Sequence, residues 1–172
     1  IVTVPPALAD RVAYAPALPS DRDQLTQRMP HGAVVKLMAI YAEPFWRHEG
    51  FTGHAASADL TVSSTFDNSP PEGLPGVLLG FVEGEAARRY GRLDEAERRR
   101  VVADCLGTYF GPRARRFEQL LELDWSAEEW TRGCYAAHMP PGAWTQYGAA
   151  LRAPVGPIHW AGTETARVWN GY

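Results

Sequence analysis

Lys36 stands among Val34, Leu37, Met38 and Ile40 in the apolar stretch from Ala33 to Tyr41. Period two sends Ala33, Val35, Leu37, Ala39 and Tyr41 to one face and Val34, Lys36, Met38 and Ile40 to the other. Both faces are apolar apart from the lysine, which predicts a central, covered strand. An ammonium group there loses hydration unless it meets a partner or a polar cavity, and burial lowers its pKa. The alternative is a lysine near a strand end that reaches solvent along its hydrocarbon stem. A second chemically capable group closes the chain, where Ile158 and Trp160 read as a short strand, Gly162 as a turn, and Thr163, Glu164 and Thr165 as a helix start. Such a strand, turn and helix N-terminus expose backbone N–H groups to an anionic or electron-rich ligand. Tyr135, after Gly133 and Cys134, and Tyr172, after Gly171, each read alone as an ordinary half-buried tyrosine, and Cys134 as a small buried thiol.

Other chemistries find no pattern. His31, His48, His54, His138 and His159 have no paired spacing with cysteine or carboxylate, so no metal site is expected. No Gly-x-Ser-x-Gly or Cys/His arrangement points to a hydrolase. The Gly-x-Gly-x-x-Gly fingerprint of a dinucleotide-binding βαβ unit is also missing from these residues.

The elements that must position these groups follow from periodicity and turn chemistry. Ile1 to Val4 reads as a short strand ended by Pro5-Pro6, and Leu8 to Leu18 as extended chain. Ser20, with Asp23 reaching back, predicts a capped helix to about Met29. Pro44-Phe45-Trp46 begins a helical turn or loop, Gly53 to Ser57 and Thr61 to Phe66 are shorter strands, and Asp67 to Gly73 is a loop. Gly76 to Val82 is another buried strand, and Glu85 to Arg92 a short helix. Asp94 and Glu97 form a capping box for a helix whose stripe is Val101, Val102, Cys105, Leu106 and Tyr109, ended by Gly111-Pro112. Phe117 to Trp125 returns as a strand. Ser126 to Glu129 predicts a second capping box on a helix ending near Gly133, and a brief helix lies near Trp144 to Leu151. The pattern implies an α+β fold with a mixed or antiparallel sheet covered by helices.

The chain has 172 residues, 45% of them hydrophobic and 22% charged, with a net charge of −3. That balance argues against a nucleic-acid surface. The arginine runs (Arg88-Arg89, Arg98 to Arg100, Arg113 to Arg116) alternate with acidic residues and read as solvated helix faces. No apolar run approaches the ~18 residues that span a bilayer, so no membrane partner is expected. Cys105 and Cys134 suggest no disulfide scaffold, which makes a reducing cytoplasm the default setting. The start at Ile1 and the stop at Tyr172 suggest a piece of a longer protein, or one chain of a nicked one.

Ala161-Gly162-Thr163-Glu164-Thr165-Ala166, followed by Trp169 and Gly171-Tyr172, resembles the C-terminal flavin-contacting motif of the flavin-containing amine oxidases, with the monoamine oxidase branch the nearest match. The resemblance continues through the stretches around Lys36, Pro44-Phe45-Trp46, Pro70-Pro71-Glu72-Gly73 and Gly133-Cys134-Tyr135. It implies an FAD cofactor, an amine substrate and O2 as partners, with hydride transfer from the amine to the flavin, imine and aldehyde as products, and H2O2 from O2. A polyamine or L-amino-acid oxidase of the same superfamily, or a non-catalytic binding module on this fold, are the other readings.

The resemblance also implies residue roles. Lys36 would hold a water beside the reactive edge of the flavin, and Tyr135 and Tyr172 would face each other as an aromatic cage that guides the amine. Cys134 is placed for a thioether link to the flavin, with a noncovalent cofactor as the alternative. Trp125 would pack along the flavin. Ala161, Gly162, Thr163, Glu164 and Gly171 would contact it, mainly through backbone. Ala56, Ser64 and Phe66 would wall the substrate cavity, the small Ser64 making it roomier. Residues 1–156 would form a substrate-binding domain, with strand 1–4 belonging to the flavin domain, and 157–172 a truncated flavin-contacting segment. The missing dinucleotide-binding part would come from an N-terminal region or a companion chain, and a homo-oligomer is compatible with this reading.

Overall fold

A computed structural model describes residues 1–170, and these fall into two compact units: Ala33–Asp124, and Ile1–Gly32 together with the chain from Trp125 onward. Within the second of these, residues near 160 pack with residues near the N-terminus through a parallel bridge between Val2 and Trp160.

The Ala33–Asp124 unit is built on a five-stranded sheet. Its strands are β1 (Val34–Tyr41), β2 (Ala55–Ala56), β3 (Ser64–Asp67), β4 (Gly76–Glu83) and β5 (Gln119–Asp124), in the order β2-β3-β4-β1-β5. Every pairing is antiparallel, with Lys36 opposite Phe81 on β4 and Leu123 on β5. One face carries Val35, Leu37, Ala39 and Tyr41 and is fully buried.

A helix covers that face, running from Glu95 to Phe110, with the expected capping box: Asp94 Oδ1 accepts the Glu97 amide at 2.8 Å and Glu97 Oε2 accepts the Asp94 amide at 3.3 Å. Its Val102, Cys105, Leu106 and Phe110 join the strand residues in one core with Phe45, Trp46 and Tyr90. Phe110 rather than Tyr109 completes the buried stripe; Tyr109 is half-buried and its hydroxyl donates to the Val62 carbonyl at 2.7 Å. Each fully buried side chain of this kind contributes about 1.5–3 kcal/mol. The Tyr41 hydroxyl donates to the Ala114 carbonyl at 2.7 Å, and burial pushes its phenol pKa up.

The other unit has short helices at Pro6–Ala9, Ser20–Thr26 and Ala143–Tyr147, with 3-10 turns at Gly148–Leu151 and Thr163–Thr165. Arg22 is buried, lies 3.6 Å over the Trp160 ring, and donates to the carbonyls of Ala150 and Leu151 at 3.1 and 3.0 Å. Leu25, Met29 and Leu151 form a second small core.

Several expectations are corrected in this unit. Residues 1–4 form only the Val2 bridge, and the chain after Pro5 turns into a helix rather than staying extended. Ser20 lies inside its helix, with Pro19 at the N-cap position and no side-chain cap. The Ser126–Glu129 box leads into turns, because Arg132 and Gly133 adopt φ of 55° and 145° and end any helix there. The helix expected after Gly162 is a single 3-10 turn followed by extended backbone at Ala166.

Candidate functional site

The open face of the sheet collects the residues expected to meet substrate. Register alone aligns Ala56, Ser64, Phe81, Lys36 and Leu123 in one row across five strands. Directly opposed residues point to the same side, so the four predicted positions Lys36, Ala56, Ser64 and Phe66 share one surface, Phe66 standing opposite Leu79 in the next row. Contrary to the expectation of a strand covered on both sides, this face is only partly covered. Lys36, Met38 and Ile40 are half-buried, while Phe66, Leu121 and Leu123 are 36%, 46% and 38% exposed. Among the described residues Lys36 has no ion pair. It stands half-buried on an apolar surface.

His54 was missed by the sequence reading. Its ring meets Phe66 edge-on at 4.5 Å between centroids, and Phe66 meets Phe81 at 6.0 Å. The three rings form an aromatic wall on the Lys36 side. His54 and Ala56 are two residues apart, so period two alone was a signal for placing them together.

The second cluster lies in the other unit, where Pro30–Gly32 pairs with Cys134–His138. Gly32 O accepts the Cys134 amide at 3.0 Å, Ala136 O accepts the Gly32 amide at 3.3 Å, and Pro30 O accepts the His138 amide at 3.1 Å. The two backbones approach so closely that a Cβ on Gly32 would fall 2.3 Å from Cys134 O, and one on Gly133 would fall 2.4 Å from Gly32 O. Only glycine permits that contact, and Gly133 also needs its positive φ. Cys134 is half-buried and Tyr135 is 55% exposed; the peptide bond between them is cis.

Beside this segment is a cleft of about 310 Å³ lined by the apolar Met29, Met139, Trp144 and Leu151 and by the polar Thr163 and Glu164. The structure therefore brings Thr163 and Glu164 to the residues that follow Tyr135. Trp125, Ala161 and Gly162 do not line this cleft. Trp125 is half-buried and its carbonyl accepts the Thr131 hydroxyl at 3.1 Å, while the Ala161 amide donates to Val2 O at 3.0 Å. Gly171 and Tyr172 lie outside the described residues.

The contribution of Glu164 is through its side chain as well as its backbone: Oε1 accepts the Ala137 amide at 2.7 Å. Arg152 clamps the far end of the same 3-10 turn, donating to the carbonyls of Thr165 and Ala166 at 2.7 and 3.0 Å. Neither tie carries a local sequence signal, since each spans more than ten residues. Among the described residues no cluster of three or more His, Cys, Asp or Glu is placed to hold a metal ion, and no helix is long and apolar enough to cross a membrane. No disulfide joins Cys105 and Cys134.

Comparison with known proteins agrees across the whole chain. Residues 1–172 match the family described as flavin containing amine oxidoreductase. The chain is 45% identical over its full length to a probable flavin-containing monoamine oxidase A of Dictyostelium discoideum, covering 38% of that protein. It is 46% identical to an L-amino acid dehydrogenase of Synechocystis, covering all of this chain and 36% of that one. A redesigned putrescine oxidase superposes with a TM-score of 0.94 at 38% identity, over 99% of this chain and 38% of the other. The chain thus spans a little over a third of the length of these relatives. Fold, ordered motifs and full-length similarity lead to one assignment: the chain belongs to the flavin containing amine oxidoreductase family.

Proposed function

We propose that this chain supplies the substrate-facing sheet and part of the cofactor wall of a flavin-dependent amine oxidase. The observation that carries the reading is the common face of Lys36, Ala56, Ser64 and Phe66, fixed by strand register. When bound, the flavin supplies the two-electron oxidation of the amine at its α-carbon and is reoxidised by O2. The cleft beside the tyrosine segment would take part of the flavin, since its lining joins the apolar Met29, Met139, Trp144 and Leu151 to the polar Thr163 and Glu164. Cys134, two residues before Ala136 in the cleft lining, would form the thioether link.

In this reading the half-buried Lys36 amine holds a water by hydrogen bonding on a face that the rest of the protein completes. The exposed Tyr135 ring and Tyr172 orient the amine by their electron-rich faces. The wall of Phe66, Phe81 and Ser64 receives the hydrocarbon part of the substrate, and Trp125 contributes packing near the cofactor. The remaining FAD-binding elements come from a region outside these residues or from a companion chain.

The test is the visible spectrum and amine-dependent H2O2 formation of the intact protein, beside the isolated 172-residue chain. The intact protein is expected to hold flavin and turn over an amine, and the isolated chain to bind flavin poorly and be inactive. Tight stoichiometric flavin absorbance on the isolated chain would refute the division of labour. A second reading, oxidation of an amino acid or a diamine, is favoured by the similarity to the Synechocystis dehydrogenase and to putrescine oxidase. Steady-state rates with aromatic monoamines, diamines and L-amino acids separate the two.

A further inference from the structure

His31 has a polar side chain that the proposed reaction does not use. Its side chain is 7% exposed, and neither ring nitrogen has a hydrogen-bond partner among the described residues. A buried polar group left in this state is unfavourable, so a polar neighbour is expected close by. The nearest charged group is Glu164, whose Oε1 lies 3.9 Å from Nε2. The same oxygen accepts the Ala137 amide at 2.7 Å, and the Glu164 side chain is itself only 11% exposed.

These contacts sit on both sides of Tyr135. On one side the neighbouring Gly32 holds the Cys134 amide, and His31 Cβ occupies the place where a Gly133 side chain would fall, at 2.4 Å. On the other side Glu164 holds Ala137. More than half of the Tyr135 surface is exposed, and these two backbone anchors flank it along the chain.

We propose that His31 and Glu164 are a positioning pair for Tyr135. With a proton on Nε2, the imidazole donates to Glu164 Oε1 in the assembled flavoprotein and fixes the carboxylate on the Ala137 amide. Nε2 and Oε1 are 3.9 Å apart, and less than an ångström of approach brings them within hydrogen-bond distance. Glu164 thereby links the 3-10 turn of Thr163–Thr165 to the tyrosine segment. The proposal rests on the functional reading above, because positioning matters only if the Tyr135 ring faces substrate.

The test compares His31→Leu, His31→Gln, Glu164→Ala and Glu164→Gln in the intact flavoprotein. Glu164→Ala is expected to lower kcat for amine oxidation about tenfold and to shift the visible flavin band, since small misplacements of positioning groups cost that much or more. Glu164→Gln keeps an oxygen for the Ala137 amide and is expected to stay within about threefold of wild type. His31→Leu is expected to lower kcat by about three- to tenfold with little change in KM, and His31→Gln, which restores a donor, to recover most of it. The His31 pair decides the matter even if Glu164→Ala does not fold, because it leaves the Ala137 bond intact. A crystal structure of the flavin-loaded protein should place His31 Nε2 within hydrogen-bond distance of Glu164 Oε1. Unchanged kcat and flavin spectrum in His31→Leu, with only a lower melting temperature, would overturn the proposal, as would an imidazole turned away from Glu164. A wild type that oxidises no amine defeats the functional reading instead, and the crystal structure still decides the pair.

Discussion

The two units of this chain are stabilised by different means. In Ala33–Asp124 a sheet lays one apolar face against a sixteen-residue helix, and Leu37, Leu78, Val102, Leu106 and Trp46 are almost wholly removed from water. In the other unit the helices are four to seven residues long, too short to be stable by themselves. Its loops are tied instead by single side chains reaching distant carbonyls and amides: Arg22 to Leu151, Arg152 to Thr165, Glu164 to Ala137. The first unit distributes its stability over many interchangeable apolar contacts. The second adds to its small apolar clusters a few long-range polar contacts and one close approach of glycines, and that is where Tyr135 is held.

This contrast can be broken from either side. The largest effect is expected from Leu106→Ala, which empties part of the sheet–helix core and should cost about 2–5 kcal/mol, read by denaturant unfolding. Gly133→Ala is next. A methyl group there meets Gly32 O and His31 at 2.4 Å with φ at 145°, so a cost of about 1–3 kcal/mol is expected, with disturbance confined to the Tyr135 segment by hydrogen exchange. If Gly133→Ala instead unfolds the sheet as readily as Leu106→Ala, the two units are not stabilised separately.

Asp67 tests a polar tie within the sheet unit. Its carboxylate accepts Trp46 Nε1–H at 2.9 Å and Arg47 Nε–H at 2.6 Å, and its other oxygen accepts the Ser69 amide at 2.9 Å. Burial pushes its pKa up, but these hydrogen bonds outweigh burial and hold it below the ordinary carboxylate range. The sign follows from linkage: the stabilisation is present above the unfolded-state value of 3.8 and is lost as pH falls below it. Asp67→Ala should cost about 1–3 kcal/mol at neutral pH because Trp46 Nε1–H loses its acceptor. The gap to wild type should narrow in acid, and a gap independent of pH would show that charge is not involved. The smallest effect is expected from Asp94→Ala, about 1 kcal/mol from loss of the cap, measured by the shift in melting temperature.

The same comparison explains how much was legible beforehand. The capping signature at Asp94 and Glu97 leads into an apolar stripe and became a helix. The equivalent signature at Ser126 and Glu129 has no stripe behind it and became a turn, because a cap cannot supply the packing that makes a helix stable. β1 was readable from its apolar run, and its register then aligns Lys36 with Ser64 and Ala56 two and three strands away. The half-open state of that face was not readable, since apolar residues at alternate positions do not say what covers them. The ties made by His31, Glu164 and Arg152 were hidden for a different reason. Their partners lie 13 to 133 residues away, beyond any local pattern, and depend on tertiary placement of loops. The candidate site residues taken from motifs, Cys134 and Tyr135 among them, carried the family resemblance without disclosing the close approach of Gly32 to them.

An anaerobic titration of the intact flavoprotein with an amine tests the central claim most directly, because it reads electron transfer without O2 or product assays. The account predicts stoichiometric bleaching of the flavin absorbance, slowed about tenfold or more by Tyr135→Ala. Flavin that stays oxidised in excess monoamine, diamine and amino acid alike would contradict it.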